Sequence, residues 1–423
     1  MTAIRKNLLL RNFFSLGFVQ VISSLLQLLV IPYVIAKIGV ANFGVVAVAQ
    51  VVMYYMATFT DYGFNQTATR EVSLNRSDMT VLSSVFFRVI AVKIILCCIA
   101  FVILLLLALI FQIVRENFLL YCLAFLFVPG YASHPAWFLQ GVERMQLIAF
   151  TTLTARVIFV ILVFIFISGP EHSRLFIFFM GVGNLVAGVM CILIVFRKFR
   201  LSYRRPSPGE ILEEIKRGWP VTVTNLSMNI IQYGNLFILR LFTNDIAAGY
   251  FSVAERIYFT MKQGLTIFSQ SVYPRVCLLA ENAPGQLQSF FRRVFNPFFI
   301  LVILGSAVVF ALSPFILPFF VKEEGIHSVF ILRMLCIALP VICLNIPSTL
   351  SLLAFDRRKT YFAVYTSAMA LSIVSNIILA SFFESTGTIS AIFITEIFIT
   401  TTVFLAMKRF SLNNFKERDK LNT

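Results

Sequence analysis

The segment Val89–Ile110, with the sequence VIAVKIILCCIAFVILLLLALI, is apolar along its whole length except for Lys93. An α-helix of about 20 apolar residues crosses a hydrocarbon core of about 30 Å, so this segment predicts a transmembrane helix. Its residues are continuously apolar rather than alternating, which favours a helix over a strand of a membrane β-barrel. The segment therefore predicts an all-α integral membrane protein.

Comparable apolar runs recur along the whole chain. Hydrophobic residues make up 59% of the 423 residues and charged residues 13%, whereas soluble globular proteins contain about 45–50% apolar residues. We predict about twelve transmembrane helices. They are placed at 12–36, 41–62, 80–112, 118–140, 146–167, 174–196, 218–241, 247–272, 291–320, 327–353, 360–382 and 387–407.

The distribution of basic residues predicts the orientation. Most of the 35 lysines and arginines fall on one side of the predicted spans, including those from Arg197 to Arg217 and from Lys408 onward. Because loops rich in Lys and Arg stay in the cytoplasm, both termini are predicted to be cytoplasmic. The net charge of +16 comes largely from this asymmetry. Topology and contact with anionic lipid headgroups explain the basic loops, so no nucleic-acid partner is expected.

The chain also contains an internal repeat. At one constant shift Gly249–Glu255 (GYFSVAE) aligns with Gly44–Gln50 (GVVAVAQ), and at a slightly larger shift Asp356-Arg357 aligns with Glu143-Arg144. Two six-helix halves that enter the membrane in the same direction form parallel repeats, here around a central cavity. The predicted parts are an N-terminal six-helix lobe (1–196), a basic cytoplasmic linker with a short amphipathic helix (197–217), a C-terminal six-helix lobe (218–407) and a cytoplasmic tail (408–423).

Five cations lie deep inside the predicted spans: Lys93, Arg156, Arg256, Lys262 and Arg333. A charged side chain at the centre of a bilayer costs about 2.5–3.5 kcal/mol on insertion scales, so this set predicts a pathway for an anionic substrate. Some members have an alternative interpretation. Lys93 can extend toward the cytoplasm and Arg333 can anchor at the outer interface, and Arg256 can face a partner helix.

Polar side chains at helical spacing form stripes on single faces of four predicted helices. The stripes are Thr222, Asn225, Asn229 and Gln232 in the seventh helix, Gln20, Ser24 and Gln27 in the first, Glu255, Phe259, Lys262, Thr266 and Ser269 in the eighth, and Gln50, Tyr54 and Asp61 in the second. Such residues can simply join helices, at about 0.6 kcal/mol per contact. Their recurrence at matching positions of the two halves favours a cavity lining that binds substrate.

Two carboxylates also lie deep in apolar runs, Glu255 and Glu396. They are the candidates for coupling to protons or sodium ions, and plain ion pairing with the cations is the alternative. Glu255 lies two turns before Lys262 on the same helical face. No other cofactor is expected.

Catalytic and metal-binding patterns are missing from the sequence. The seven cysteines lie in or beside apolar runs without metal-ligand spacing, and they form no disulfide framework. The sequence contains no nucleotide-binding glycine motif. It therefore predicts a transport protein rather than an enzyme.

Three segments resemble a known family: Ile38–Gly44 (IGVANFG), Asp61–Arg70 (DYGFNQTATR) and Pro135–Met145 (PAWFLQGVERM). They are similar to the O-antigen (Wzx-type) flippases of the multidrug/oligosaccharidyl-lipid/polysaccharide exporter superfamily. The resemblance implies alternating access that moves an undecaprenyl-pyrophosphate-linked repeat unit from the cytoplasmic to the periplasmic leaflet of a bacterial inner membrane. It also implies gate or structural roles for the motif residues Asp61, Arg70, Gly141 and Arg144.

Other substrates remain open at this point. A capsule or exopolysaccharide unit would suit the same features, whereas a drug or cation antiporter would favour acidic rather than basic cavity residues. A membrane polymerase or glycosyltransferase would need a sizeable loop outside the membrane, and every predicted outer loop is short. The resemblance implies a lipid-linked oligosaccharide substrate, with a polysaccharide polymerase and a chain-length regulator as partners.

Overall fold

Residues 22, 26, 28–321 and 325–421 are described by a computed structural model, which excludes the side chains of 325–326 and 410–421. Within these residues every regular element is a helix, which confirms the all-α prediction. The α-helices are α1 (Leu28–Ile38), α2 (Val40–Asp61), α3 (Phe64–Leu74), α4 (Met79–Ile110), α5 (Gln112–Glu116), α6 (Phe118–Phe125), α7 (Phe127–Ser133), α8 (Ala136–Gly141), α9 (Met145–Phe166), α10 (Ser173–Phe199), α11 (Pro208–Phe242), α12 (Asp245–Asn282), α13 (Leu287–Ile316), α14 (Gly325–Leu344), α15 (Ile346–Ala354) and α16 (Arg358–Leu421).

Eight helical segments of the described chain are long and apolar enough to cross a membrane. One of them, within α16, contains a break at Glu384, whose φ of 48° and ψ of −126° are not helical. A Cβ atom at Gly387 would collide with the carbonyl group of Leu379, so this break requires a glycine. Because α16 is two helices, and because α11 and α12 are 35 and 38 residues long, the structure is consistent with twelve spans, a number that stays a prediction.

The chain forms two compact units, Met1–Asn229 and Ile230–Thr423. In the first unit α10 packs against α6, α7 and α9, and α2 packs against α4 and α7. An aromatic core lies where α4 meets α8: the fully buried ring of Phe86 is 5.9 Å from Trp137 and 5.5 Å from Phe138. In the second unit α14 packs against α12, α13 and α16.

The first unit extends into α11, which begins with a capping box. Ser207 Oγ accepts from the backbone N–H of Glu210 at 3.3 Å, and the Glu210 carboxylate accepts from the N–H of Ser207 at 2.8 Å. These reciprocal bonds satisfy two of the free N–H groups of a helix start, and the bond from the Ser207 backbone lowers the pKa of Glu210. The short amphipathic helix predicted within the linker 197–217 is thus the start of α11, which runs on through Pro220 without interruption.

Ion pairs hold the start of α11 against α3 and α4. Arg88 donates to the buried carboxylate of Glu214 at 2.5 Å and to Glu71 at 2.8 Å, and Arg217 donates to Glu71 at 3.0 Å. Charge-assisted hydrogen bonds of this kind are roughly twice as strong as neutral ones. The network therefore connects the start of α11, which follows the predicted sixth span, to the earlier helices α3 and α4.

Two of the family-like segments pack directly on each other. A Cβ atom at Gly141 would collide with the Val72 side chain and lie 3.1 Å from the Thr69 carbonyl oxygen. The helices α8 and α3 therefore pack too closely at this position for any side chain larger than that of glycine. Thr69 Oγ1 donates to the Trp137 carbonyl at 3.0 Å, and Arg76 forms a 2.7 Å ion pair with Glu143. This close approach explains why Gly141 stands in the segment.

The backbone also repeats where the sequence predicts it. Glu143 and Asp356 both adopt left-handed conformations, with φ of 58° and 55°. In each case the backbone N–H of the following residue donates to a carbonyl of the preceding helix. Arg144 donates to Leu139 at 2.8 Å, and Arg357 donates to Leu352 at 2.9 Å. Both are the 6→1 bonds of a Schellman-type helix end, so α8 and α15 end in the same way.

Candidate functional site

A cavity of about 250 Å³ lies within the first unit. It is lined by residues of α2, α3, α7, α9 and α10, by His134 of the break between α7 and α8, and by Ala136 at the start of α8. The side chains with hydrogen-bonding groups that line it are Tyr54, Asp61, Asn65, Tyr131, His134, Thr152, Arg156 and Asn184. Donors and acceptors inside an apolar helix bundle can replace the hydrogen bonds that a polar molecule loses when it leaves water.

Aromatic rings form another part of the wall. Phe127 lies 5.5 Å from Tyr54 in an edge-to-face arrangement and 6.1 Å from Tyr131 in a stacked one. Phe159 of α9 also lines the cavity. The cavity thus combines flat apolar faces with convergent polar groups, as small-molecule sites commonly do.

A broken helix brings His134 into the wall. The α7 helix ends at Ser133, and His134 is extended, with φ −80° and ψ 104°. The residue before a proline is disfavoured in the helical region, so Pro135 explains the break. His134 Nε2 lies 3.1 Å from Thr151 Oγ1, and this contact connects the break to α9.

Asp61 is held by two partners. Its Oδ1 accepts from Lys93 Nζ at 3.2 Å, and its Oδ2 accepts from Asn65 Nδ2 at 2.9 Å. The Lys93 side chain is only 2% exposed and also lies over the Phe64 ring at 5.9 Å. The ammonium group of Lys93 therefore neutralises Asp61 from behind the cavity wall.

The remaining predicted residues of the first unit lie in different environments. Arg156 lines the cavity, whereas Arg70 and Arg144 are exposed. Asn229 donates to Thr58 Oγ1 at 3.1 Å and to the Asn225 carbonyl at 3.0 Å. Both amides are half-buried, and the Asn229 contact joins α11 to α2. Gln20, Ser24 and Gln27 lie outside the described residues.

The second unit contains a looser charge pair. Lys262 Nζ lies 3.7 Å from Glu396 Oε1 and 5.9 Å from the centre of the Tyr258 ring. The Lys262 side chain is 23% exposed, and Glu396 and Glu255 are both buried. Charge-assisted bonds between ammonium and carboxylate are normally about 2.7–2.9 Å long, so this pair is more open than the pair of Lys93 and Asp61.

Three other predicted residues of the second unit do not belong to that pair: Arg333, Arg256 and Gln232. Arg333 donates to Ser313 Oγ at 3.1 Å and lies over the Phe310 ring at 5.1 Å, so it joins α14 to α13. Arg256 and Gln232 are half-buried. The described residues contain no group of three His, Cys, Asp or Glu side chains placed to hold a metal ion.

Residues 9–278 match the model of a family described as "Polysaccharide biosynthesis protein". The chain belongs to this family. It is 24% identical over 410 residues to a protein of Escherichia coli (strain K12), covering 94% of this chain and 96% of the relative. It is 22% identical over 408 residues to one of Shigella dysenteriae, covering 94% and 100%. Both relatives are named "Putative O-antigen transporter", and the prediction of a transport protein rather than an enzyme is confirmed.

Solved structures of two transporter groups share the fold of this family member. The lipid II flippase MurJ in an inward closed conformation superposes with a TM-score of 0.75 at 15% identity, covering 92% of this chain and 87% of that one. A multidrug resistance MATE family transporter in an inward-facing conformation gives 0.72 at 14% identity, covering 93% and 96%. At these identities the likeness concerns the fold alone, and it confirms the all-α multi-pass architecture.

Several cavity residues of this family member were not among the predicted substrate-binding residues. Asn65 lies inside the family-like segment after α2, and Asn184 lies in a predicted span without a polar stripe. His134 could have been found from its place before Pro135, which predicts a break in the fourth span. Tyr54 and Asp61, two members of the milder stripe in the second helix, do line the cavity.

Proposed function

We propose that this protein moves a lipid-linked polysaccharide repeat unit, of the O-antigen kind, from the cytoplasmic to the periplasmic leaflet of a bacterial inner membrane. The observation that carries the proposal is Arg156, an arginine of a membrane-spanning helix that lines a cavity of about 250 Å³ together with several hydrogen-bonding side chains. Membership of the polysaccharide biosynthesis family and the names of its two relatives support the substrate class. The MurJ-like fold supports a flippase mechanism.

The physical task explains the composition of the cavity. An ionised phosphate in bare hydrocarbon would cost tens of kcal/mol by Born solvation. Each sugar hydroxyl that lost its hydrogen bonds would cost about 1–3 kcal/mol more. Fixed amides, hydroxyls and a guanidinium group can replace these interactions while the polyprenyl tail stays in the lipid. The protein would alternate between inward- and outward-open states, and the delivered unit would pass to a polymerase and its chain-length regulator.

The cations give the direct test. Arg156→Ala and Lys262→Ala should abolish surface polysaccharide in a strain that lacks its own copy, at normal protein level, because each removes a charge from a polar interior. Arg156→Lys should keep partial function, since the charge survives without the planar fork. Arg115→Ala is the matched control, because Arg115 is an exposed arginine of α5. Normal export by both alanine variants would refute the proposed anion pathway.

Coupling to a proton or sodium ion is proposed for the second unit, where Glu255 and Glu396 are buried near Lys262. The membrane potential itself favours outward movement of an anion by about 2.3 kcal/mol per charge per 100 mV. Glu255→Gln should bind the lipid-linked unit normally in vesicles but lose the response of transport to an imposed ion gradient. An unchanged response would leave the membrane potential as the driver.

Orientation is tested separately with reporter fusions. Fusions after residue 205 and at the C-terminus should report the cytoplasm, and a fusion after residue 172 should report the periplasm, because the basic loops lie on the first side. A periplasmic C-terminus would contradict the twelve-span arrangement.

A further inference from the structure

We propose that the C-terminal half of α12 carries a binding surface for the sugars of the transported unit, formed by Gln263, Thr266 and Gln270. This inference rests on the proposed function and deepens it, because it assigns the hydroxyl groups of the proposed substrate to named residues of the second unit. It follows from the exposure of this helix face, from its unused hydrogen-bonding groups and from its position relative to Lys262.

The three side chains form an accessible polar face on α12. Their spacing of i, i+3 and i+7 places them on one side of the helix. Thr266 and Gln270 are exposed and Gln263 is half-buried, whereas Leu265 and Val272 on another side are buried. The buried side belongs to the contacts that α12 makes with α14 and α15, so the polar face is left for a different environment.

That environment is water rather than lipid. Gln263 precedes Arg275, the next charged residue after Lys262, by 12 positions, or about 18 Å along a helix. In the predicted topology Arg275 lies at the cytoplasmic boundary, which puts Gln263 near the middle of a hydrocarbon core of about 30 Å. Polar side chains at that depth face the bundle interior or a water-filled space.

The neighbouring helix α13 shows what a lipid-facing surface of this protein looks like. Its exposed side chains are apolar, and they include Ile300, Leu301, Leu304 and Val308. In contrast, α12 is not one of the eight described segments that are apolar enough to cross a membrane. The two helices therefore expose different kinds of surface, and the one on α12 suits a hydrated ligand.

The amide groups of this face are available to a ligand. Neither Gln263 nor Gln270 has a hydrogen-bond partner among the described residues, and the Thr266 hydroxyl donates to the Lys262 carbonyl at a long 3.4 Å. An amide group offers both donors and an acceptor, and a hydroxyl group both donates and accepts. The face can therefore exchange hydrogen bonds in both directions with the hydroxyls of a sugar.

The position of the face connects it to the proposed anion contact. Thr266 and Gln270 follow Lys262 by one and two helical turns, about 6 and 12 Å along the axis. The Lys262 side chain is 23% exposed and lies 3.7 Å from Glu396. The sugars are joined directly to the pyrophosphate, so a unit whose phosphates lie at Lys262 has its sugars close to these amides. The face itself is uncharged and adds hydrogen bonds to the charge of Lys262.

Cysteine labelling of the full chain tests whether the face is in water. Thr266→Cys and Gln270→Cys should each react with a membrane-impermeant maleimide in inside-out vesicles. Mass spectrometry of the labelled peptides separates these sites from the native cysteines. Leu304→Cys is the matched control, because Leu304 is 58% exposed on α13 and should stay unlabelled in lipid. Absence of label at either α12 position, or equal labelling of Leu304→Cys, would overturn the inference.

Binding to the purified full chain identifies the part of the substrate that the face contacts. The two probes are undecaprenyl pyrophosphate without sugar and lipid-linked units extracted from a strain that lacks its polymerase, both titrated by native mass spectrometry. Gln263→Leu and Gln270→Leu should each weaken binding of the lipid-linked unit about tenfold, the effect of an unmade hydrogen bond. Both variants should bind the sugar-free lipid as the wild type does. Gln288→Leu is the matched control, because Gln288 is an exposed glutamine of α13.

Two results of this titration would overturn the inference. One is an unchanged affinity of both glutamine variants for the lipid-linked unit. The other is an equal loss for the two lipids, which would assign the face to the phosphates. Retained melting temperatures show that the variants are folded, and Gln270→Ala replaces Gln270→Leu if the leucine lowers the melting temperature.

A vesicle assay keeps the two proposals separate. Wild-type protein that flips no lipid-linked unit refutes the proposed function, and the comparison of the two lipids still decides whether the α12 face binds sugars. Normal flipping together with unchanged affinities in the glutamine variants refutes only the α12 face.

Discussion

Replacing Lys93 with methionine should destabilise the first unit, because it leaves the Asp61 carboxylate without its cation. The Lys93 side chain is 2% exposed and that of Asp61 is 12% exposed, with the two joined at 3.2 Å. Removing one partner of a buried pair costs about 3–5 kcal/mol. Asp61 keeps the Asn65 amide at 2.9 Å and borders a polar cavity, so we expect a loss near the lower limit, about 3 kcal/mol.

This loss is measurable as a melting temperature. For a domain of 150–250 residues, 1 kcal/mol shifts Tm by about 2–4 °C, so Lys93→Met should lower Tm by about 6–12 °C. Thermal unfolding of the purified protein, followed by tryptophan fluorescence, gives the value. Asp61→Asn alone should also destabilise, because it leaves a buried ammonium group without its carboxylate.

The double variant decides the interpretation. If the two groups act as a pair, Lys93→Met with Asp61→Asn should recover most of the lost stability, since no unpaired buried charge remains. Losses that simply add would refute the pairing argument. A stable double variant that transports nothing would show that the pair also serves the transport cycle.

Two further predictions concern packing and the ion pairs at the start of α11. Gly141→Ala should reduce the folded yield because its Cβ would collide with Val72, whereas Gly209→Ala, with no atom within 4 Å, should be neutral; size-exclusion profiles compare them. Glu214→Gln should lower stability by about 1–2 kcal/mol, since a buried carboxylate loses its charge-assisted bonds. Glu213→Gln, 71% exposed, should change stability by less than about 0.5 kcal/mol in the same thermal unfolding assay.

The fold was predictable because the membrane restricts the options. A chain of long apolar runs has to form helices whose backbone groups are satisfied internally, and the structure is helical throughout its described part. The matching ends of α8 and α15 also follow from the sequence, since Glu143-Arg144 and Asp356-Arg357 align in the repeat. Arg156 was predictable from its depth alone, because a cation there is too costly without a polar environment.

Partners across helices could not be predicted from such patterns. Lys93 and Asp61 are 32 positions apart, and helical periodicity gives the face of a residue but not the helix that this face meets. For the same reason the sequence does not distinguish Asn184, which lines the cavity, from Asn229, which bonds to Thr58. Arg333 likewise has partners that the sequence pattern does not give, Ser313 and Phe310 of the neighbouring helix.

Pairing of the lysines changes what the buried charges mean. Five cations in apolar runs indicate a strongly positive interior, but Lys93 lies against Asp61 and Lys262 lies near Glu396. Lys93 lies behind the cavity wall and pairs with Asp61, which lines the cavity. The pair of Lys262 and Glu396, at 3.7 Å, is longer than a normal charge-assisted bond and is more easily opened by a competing anion. In the proposed cycle an anion that binds Lys262 leaves the buried Glu396 carboxylate without its partner. This ion pair would connect movement of the anion to binding of the proposed coupling ion.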